Sequence, residues 1–578
     1  MKKAVLLFLA LITAVFFSYG KEEKRLEIFF TGDIHSSGDY LALYGKIEAE
    51  RAAARKAGLP FIALDAGDIA MGSVFHTLYS SSAFELTALS KMGYDAFTAG
   101  NHDFDFGPSG WLKMLAVADS INSPSGKLCR LTVANISFAD PIQDSLFRIH
   151  NSEYLIFERE GVKIAVFGLL GEDAFSCIAD NGFLVREDAA DAARRVCDKL
   201  LSLERPDYII ALSHSGTMWA DGRRIEAGAK NERKLRAKSE DGALATAVPE
   251  IDVIVSGHDH EALFSPLIVN NTVIVASGYG SQYSGKLLLE GDSVAFYALS
   301  PTGKCETYPE ENTEFAMWLD SSRAQVSHLF RQHDGIGIFD TVTVLGHDLE
   351  PARHIAESYA MAAEKLIGEK PVAVVPYGMV RGRMCAGAQT YSDVFKVLPL
   401  GKADDGSYGT PLVYAYVRGK DIKDLCELNA SVAGSGMEDE HLFFAGVNYT
   451  WNRHGIPFTK VADVWVYGRK LDRNALYPMV ADLYTASLMG IIKSSSMGLL
   501  SVTPLDSAGN KSPFKVLPVK GWKAFAEYLK DGNGENVPDL NGLEENSMAP
   551  LLLFGAVIVV VSAVLLLLSG RLRRSLRS

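Results

Sequence analysis

Five apolar runs in the first half of the chain each run into a cluster of metal-ligating residue types with a glycine beside it. Phe29-Phe30 leads into Thr31-Gly32-Asp33-Ile34-His35, and Leu64 into Asp65-Ala66-Gly67-Asp68. Phe97-Thr98-Ala99 leads into Gly100-Asn101-His102-Asp103-Phe104-Asp105, Leu212-Ser213 into His214-Ser215-Gly216, and Val255-Ser256 into Gly257-His258-Asp259-His260. Short runs that are apolar throughout, rather than alternating, are strands covered on both faces. The candidates are Leu26–Phe30, Phe61–Leu64, Ala96–Ala99, Lys163–Leu170, Tyr208–Ser213, Val253–Ser256 and Thr272–Ala276. They predict a layered α/β domain over 26–299. In an open α/β sheet, ligands bind outside the carboxyl ends of the strands, so these ends gather Asp33, His35, Asp68, Asn101, His214, His258 and His260 in one crevice.

Imidazole and carboxylate together suit borderline ions such as Zn²⁺, Mn²⁺ or Fe²⁺. Seven ligands exceed what one tetrahedral ion needs, so two divalent ions with a shared carboxylate are expected. Such a pair, about 3.5–4 Å apart, can hold a hydroxide nucleophile and clamp the oxygens of a phosphoryl group. The eight histidines outside these clusters (His76, His150, His328, His333, His347, His354, His441, His454) read as surface or core residues. Charge narrows the substrate further, because 57 Lys and Arg stand against 70 Asp and Glu, a net −13. Setting aside Lys2, Lys3, Arg571, Arg573, Arg574 and Arg577 at the two ends deepens the remainder to roughly −19, which repels a nucleic-acid polymer. A small phosphorylated partner remains compatible, with the metal offsetting the field.

The ends predict export and anchoring. Lys2 and Lys3 precede an apolar run, Ala4 to Phe17, with small residues at Ser18 and Gly20, so residues 1–20 read as a signal peptide. Residues 549–569 are apolar over about 20 positions, enough to span a bilayer core, and the tail over 570–578 carries Arg571, Arg573, Arg574 and Arg577. Positive charge stays on the cytoplasmic side, which places the bulk of the chain in the periplasm or outside the cell. Before the span, 531–547 is rich in Gly, Asn, Asp and Glu and reads as a flexible stalk.

A linker with a helix (Glu314 to His328) over 300–336 leads to a second, smaller α/β region over 337–530. It contains a helix from Pro351 to Ile367 and strand candidates Val372–Val375, Leu412–Val417 and Val461–Val466. Six widely separated cysteines without a C-x-x-C pair suggest neither a zinc knuckle nor a redox motif. Gly280 to Lys286 imitates the start of a phosphate-binding loop, but Leu287 stands where a Ser or Thr must be, and the segment reads as a hairpin.

Gly32-Asp33-Ile34-His35, Gly67-Asp68, Gly100-Asn101-His102-Asp103, Ser213-His214 and Gly257-His258-Asp259-His260 resemble the calcineurin-like metallophosphoesterases in order and spacing. With Phe104-Asp105 and a second domain behind them, they resemble more narrowly the secreted 5′-nucleotidase and UDP-sugar hydrolase family. The resemblance implies that Asp33, His35 and His260 hold one metal, that Asn101, His214 and His258 hold the other, and that Asp68 bridges. It implies His102 as electrostatic stabiliser or leaving-group acid, with Asp105 fixing its tautomer, and supporting places for Asp103 and Asp259. The second domain departs from the family pattern: the Asn-Gly-Gly-x-Arg motif reads Tyr377-Gly378-Met379-Val380-Arg381, and Pro-Phe-Gly-Asn reads Pro399-Leu400-Gly401-Lys402. The late Gly-Gly-Asp-Gly loop is absent around Ala486–Gly490. Arg381, Phe444 and Tyr484 are the expected substrate-binding residues, the two aromatics as base-stacking platforms. The implied activity is hydrolysis of nucleotide phosphate esters to nucleoside and phosphate. The alternatives are a 2′,3′-cyclic nucleotide phosphodiesterase, a UDP-sugar hydrolase or other phosphatase, and a catalytically silent tethered binding protein.

Overall fold

Alternate residues of the predicted strands point into two different cores, which is why those strands lack a polar face. In a computed structural model of the chain, Ile164 and Val166 join one buried cluster while their neighbours Ala165 and Phe167 join another. The structure describes residues 24–36, 39–122, 128–178, 181–220, 223–225, 228, 230–302, 313–401, 408–432, 441–455, 459–486, 502–535 and 542–545. The expected signal peptide over 1–20, the expected membrane span over 549–569 and the basic tail over 570–578 lie outside the described residues. Among the described residues no helix is long and apolar enough to cross a membrane. The chain divides into two compact units, Met1–Val326 and Ser327–Ser578.

In the first unit β1 (Arg25–Thr31), β2 (Phe61–Asp65) and β3 (Ala96–Phe97) run parallel at the centre of a seven-stranded sheet. β4 (Val162–Leu170), β5 (Tyr208–His214) and β6 (Val253–Gly257) run parallel in a six-stranded sheet. The expected layered α/β domain is thus built on two sheets. Leu26, Ile28, Phe30, Ile62 and Leu64 from the first face Ile164, Val166, Ile210, Leu212, Val253 and Val255 from the second across one dry core. The outer face of the second sheet is covered by helices Ala189–Lys199 and Glu240–Ala247, through Ala192, Val196, Leu244 and Val248. Tyr283–Glu290 pairs antiparallel with both β1 and Ser293–Pro301, so the loop-like glycine motif is a hairpin. Ser300 and Pro301 consequently belong to a strand and not to a linker, and the helix after them extends to Asp334.

The second unit centres on a five-stranded sheet in which β7 (Val372–Pro376) lies between Leu442–Ala445 and β9 (Leu476–Asp482), followed by β8 (Pro411–Arg418) and Lys515–Lys520. Pro351–Ile367 forms the expected helix, started by Pro351 and stopped at Gly368, whose φ of 75° suits glycine. The segment read as a stalk carries structure: Asn533–Glu535 forms a helical turn, and Gly542–Glu545 pairs parallel with Val447–Asn452. Composition misleads there because edge pairing uses backbone N–H and C=O groups, which a polar segment supplies as well as an apolar one.

Candidate metal centre

The strand ends converge as their spacing predicts. Asp33 and His35 follow β1, Asp68 follows β2, Asn101 and His102 follow β3, His214 ends β5, and His258 and His260 follow β6. All except the half-buried His102, His258 and His260 are buried. Five of these residues adopt the left-handed backbone region: Asp33 (φ 53°), His35 (52°), Asp68 (53°), His258 (93°) and His260 (59°). That conformation costs a side-chain-bearing residue about 1–2 kcal/mol and persists only where the surroundings impose it. Here the Asp33 N–H donates to the Gly67 carbonyl at 2.9 Å, the His35 N–H to the Asp68 carbonyl at 2.9 Å, and the His258 N–H to the Asp33 carboxylate at 3.0 and 3.1 Å. Gly100 is required by close approach, because a Cβ there would overlap the Asp68 carboxylate.

Polarity shows what the centre is built to hold. His214 Nδ1 lies 2.8 Å from the Ala66 carbonyl and His35 Nδ1 lies 2.9 Å from the Met71 carbonyl, so both Nδ1 atoms carry the proton. Each Nε2 then turns inward, toward the Asp68 carboxylate. His214 Nε2 is buried without a hydrogen bond, 3.2 Å from Asp68 Oδ2, and His35 Nε2 stands 3.1 Å from His260 Nε2 and 3.5 Å from Asp68 Oδ2. Two carboxylates, Asp33 and Asp68, buried together in this cavity repel unless positive charge, a proton or a metal ion, sits among them. Three ligand groups present atoms within 4.8 Å of one another: Asp33, His35 and His260; His35, Asp68 and His102; Asp33, Asp68 and His214. The donor set and its geometry fit divalent metal ions.

Electrostatics agree. Burial pushes the Asp33 carboxyl well above its usual range, and the nearby Asp68 charge adds to the rise. Burial acts on Asp68 in the same direction, but the imidazoles of His214, His102 and His35 outweigh it and hold the carboxyl well below its usual range. Burial would depress His214, yet Asp68 and Asp33 push it up to about 10. Asn101 Oδ1 lies 3.1 Å from His258 Nδ1, and His102 Nδ1 lies 2.8 Å from Asp105 Oδ2. Asp103 is buried and accepts the backbone N–H groups of Gly100, Asp68 and Ala70 at 2.8, 3.1 and 3.2 Å, tying the β2 and β3 loops together. Asp259 accepts the N–H groups of Thr217 and Met218 at 2.5 and 2.6 Å.

Two neighbours of the centre escaped the sequence reading. The Tyr279 ring lies 5.1 Å from that of His35 and 4.6 Å from that of His260. Asp173, in the short helix Glu172–Ser176 after β4, places Oδ2 2.9 Å from His258 Nε2. The rule used for the other strands, a glycine and a carboxylate after an apolar run, finds Gly171-Glu172-Asp173 when applied to Leu170.

Beneath the centre, Ser36 donates to the buried Glu85 carboxyl at 2.6 Å, and burial pushes Glu85 up to about 8. A carboxyl raised above its ordinary value stabilises the fold fully below pH 4.5, and that contribution is lost as pH rises to 8, at about 1.4 kcal/mol per pH unit. Glu85→Gln, which cannot ionise, is therefore expected to denature like the parent at pH 5 and at higher denaturant than the parent at pH 8. Parallel denaturation curves at the two pH values test this, and identical midpoint differences at both would refute it.

Of the expected substrate-binding residues, Arg381 is half-buried four residues after Tyr377, its backbone N–H donating to the Val397 carbonyl at 2.9 Å. Tyr484 is half-buried just past the end of β9. Phe444 is 2% exposed and packed in the core of the second unit with Val372, Val374 and Tyr449, so it offers no stacking face. Strand alternation sends its neighbour Phe443 to the other side, where its ring lies 4.9 Å from His441 and 6.1 Å from Tyr377, which is 41% exposed. The four-residue stretch Leu442–Ala445 is apolar throughout and does not disclose which phenylalanine faces out.

A buried carboxylate and imidazole centre at the strand ends of a two-sheet sandwich defines a metal-dependent hydrolase. Residues 26–262 match the family model of the calcineurin-like phosphoesterases, and residues 352–490 that of the 5′-nucleotidase C-terminal domain. The chain thus belongs to the calcineurin-like phosphoesterases of the two-domain 5′-nucleotidase type and is a metal-dependent phosphoester hydrolase. It is 24% identical over 517 residues to the trifunctional nucleotide phosphoesterase protein YfkN of Bacillus subtilis, an alignment covering 83% of this chain and 32% of that protein. It thus spans about a third of that relative's length. It is 26% identical over 516 residues to a 5′-nucleotidase of Vibrio cholerae, covering 80% of this chain and 85% of the relative. The solved 5′-nucleotidase precursor of Thermus thermophilus shares the fold, with a TM-score of 0.64 and 19% identity over 90% of this chain and 100% of that one.

Proposed function

We propose that this chain is an extracytoplasmic, membrane-anchored nucleotidase that hydrolyses nucleotide phosphate esters to nucleoside and phosphate with two divalent ions. One observation carries the reading: the Nε2 atoms of the buried His35 and His214 both turn onto the buried Asp68 carboxylate, at 3.5 and 3.2 Å, with Asp33 beside them, a donor set that calls for cationic charge at its centre. In the proposed assignment Asp33, His35 and His260 hold one ion, Asn101, His214 and His258 the other, and Asp68 both. When bound, the ions supply Lewis-acid charge that activates the attacking water and draws a phosphate dianion into an otherwise acidic cavity. The chain's own residues do the rest. Asp105 accepts the Nδ1 proton of His102 and so fixes which ring nitrogen faces the ester. His102 stabilises charge on the transferring group or gives its proton to the leaving oxygen.

A nucleoside as leaving group is supported by relatives named 5′-nucleotidase and nucleotide phosphoesterase, and by the matching C-terminal domain. In that domain Tyr377, His441 and Phe443 gather at the carboxyl end of β7, the end at which Arg381 and Tyr484 also follow their strands. Phe443→Ala is expected to raise KM for a nucleotide roughly tenfold, the loss of about 1–3 kcal/mol of stacking, and to leave kcat and stability near parent. Phe444→Ala should instead cost about 3–5 kcal/mol of stability through a core cavity. Steady-state kinetics and denaturation of both variants check this, and a KM effect confined to Phe444→Ala would reverse the assignment.

Export and anchoring are supported by the charged and apolar patterning of residues 1–20 and 549–578. The test of the whole reading is phosphate release by the full chain, stripped with chelator and reloaded with Mn²⁺ or Zn²⁺. The panel contains nucleoside mono-, di- and triphosphates, UDP-glucose, 2′,3′-cyclic AMP and p-nitrophenyl phosphate. Metal-restored preference for a nucleoside phosphate is expected. Silence on every compound with two metals bound would overturn hydrolysis, and preference for the generic ester would overturn nucleoside recognition.

A further inference from the structure

One imidazole in the centre looks both ways. His258 turns Nδ1 inward, 3.1 Å from Asn101 Oδ1, and Nε2 outward, 2.9 Å from Asp173 Oδ2. Beside Asp173 stands Cys177. The carboxylate, the thiol and the outer imidazole nitrogen all lie within 4.8 Å of one another, with Asp173 and Cys177 exposed. Asp173 and Cys177 are four residues apart on one helical turn, which presents both side chains on one face. That turn is tied down at several points. The Gly171 N–H donates to the His214 carbonyl at 2.9 Å, the N–H groups of Glu172 and Asp173 donate to the Glu240 carboxylate at 2.8 and 3.0 Å, and the Cys177 N–H donates to the Asp173 carbonyl at 3.1 Å.

We propose that Asp173, Cys177 and His258 form a third cation site at the rim of the centre, taken by a soft divalent ion such as Zn²⁺ or Cd²⁺, and that its occupation inhibits the enzyme. A thiolate in the set selects soft and borderline ions over Mg²⁺ and Mn²⁺, which prefer oxygen. Ligand atoms around one tetrahedral Zn²⁺ lie roughly 3.3–3.8 Å apart, given bond lengths of about 2.0–2.3 Å. The exposed Asp173 and Cys177 side chains reach that geometry by small rotations, and solvent supplies the fourth position. Where the ring bridges both ions, binding releases two protons to solvent, one from the thiol and one from His258 Nε2; where Nδ1 withdraws, the ring proton passes from Nε2 to Nδ1 and only the thiol proton is released, and in neither case do electrons move. A ring whose outer nitrogen is bound in this way either carries both ions as an imidazolate or withdraws Nδ1 from the inner cluster. Either change alters the position beside Asn101, and in this consequence the inference rests on the hydrolytic reading of the inner centre.

The test uses the full chain loaded with Mn²⁺ and titrated with Cd²⁺, followed by thiolate-to-cadmium ultraviolet absorption and by turnover. The parent is expected to develop the thiolate band with one added equivalent and to lose turnover in parallel. Cys177→Ser should keep parental turnover before Cd²⁺, lose that band, and need at least a tenfold higher Cd²⁺ concentration for the same inhibition. The same band in Cys177→Ser, no band in the parent, or equal inhibition of both proteins would overturn the site. A preparation that hydrolyses nothing yet shows the band and its loss in Cys177→Ser would refute the hydrolytic reading while leaving the cation site standing.

Discussion

Asp68→Ala is expected to lose both bound metal and turnover. Its carboxylate faces His35 and His214 at 3.5 and 3.2 Å, closer to both than the Asp33 carboxylate at 3.9 and 4.0 Å, while its other oxygen accepts the His102 backbone N–H at 2.8 Å. Removing it takes away the proposed bridging anion and leaves His35 and His214 only the more distant Asp33 carboxylate in common. Charge stabilisation by metal ions is worth several kcal/mol in phosphoryl transfer, and at about 1.36 kcal/mol per tenfold the loss of turnover comes to roughly a thousandfold or more. Metal analysis of dialysed protein should show less than the parental content, with Asp68→Asn intermediate because an amide oxygen still ligates without the charge. Parental metal content and parental phosphate release in Asp68→Ala would remove Asp68 from the centre.

The convergence of the ligands was legible because strand period and residue type act together. Runs such as Lys163–Leu170, without a polar face, require cover on both sides, and the ligand types sit where such strands end. Two sheets instead of one could not be read from this pattern. A strand buried between two sheets and a strand buried between a sheet and a helix share the same apolar sequence, and the partner of β4 is set by long-range pairing with β5. Asp173 satisfies the same strand-end rule, but Gly171-Glu172-Asp173 has no histidine beside its carboxylates, so residue type alone does not mark it as part of the centre. Cys177 was invisible to spacing rules, since its companions come from a turn and from a loop 81 residues later in the chain. In the second unit local sequence is ambiguous in a different way: Phe443 and Phe444 are equivalent in type, and only the registers Val375 to Phe443 and Val374 to Phe444 decide which one enters the core.

His102→Ala separates chemistry from metal binding. The ring is half-buried, its Nδ1 bonded to Asp105, and its backbone N–H, which an alanine keeps, supplies the bond to Asp68. Metal content should therefore stay parental while kcat falls by about 10²–10⁴, the range for a positioned acid or base. The two roles open to His102 diverge on leaving-group quality. If it protonates the departing oxygen, p-nitrophenyl phosphate, whose leaving group needs no proton, loses far less rate than a nucleoside monophosphate. If it stabilises charge on the transferring group, both substrates lose rate equally. Asp105→Asn should follow the same substrate pattern at smaller magnitude, because it disturbs only the tautomer that delivers His102 to the ester. Parental kcat on both substrates in His102→Ala would exclude the ring from the reaction altogether.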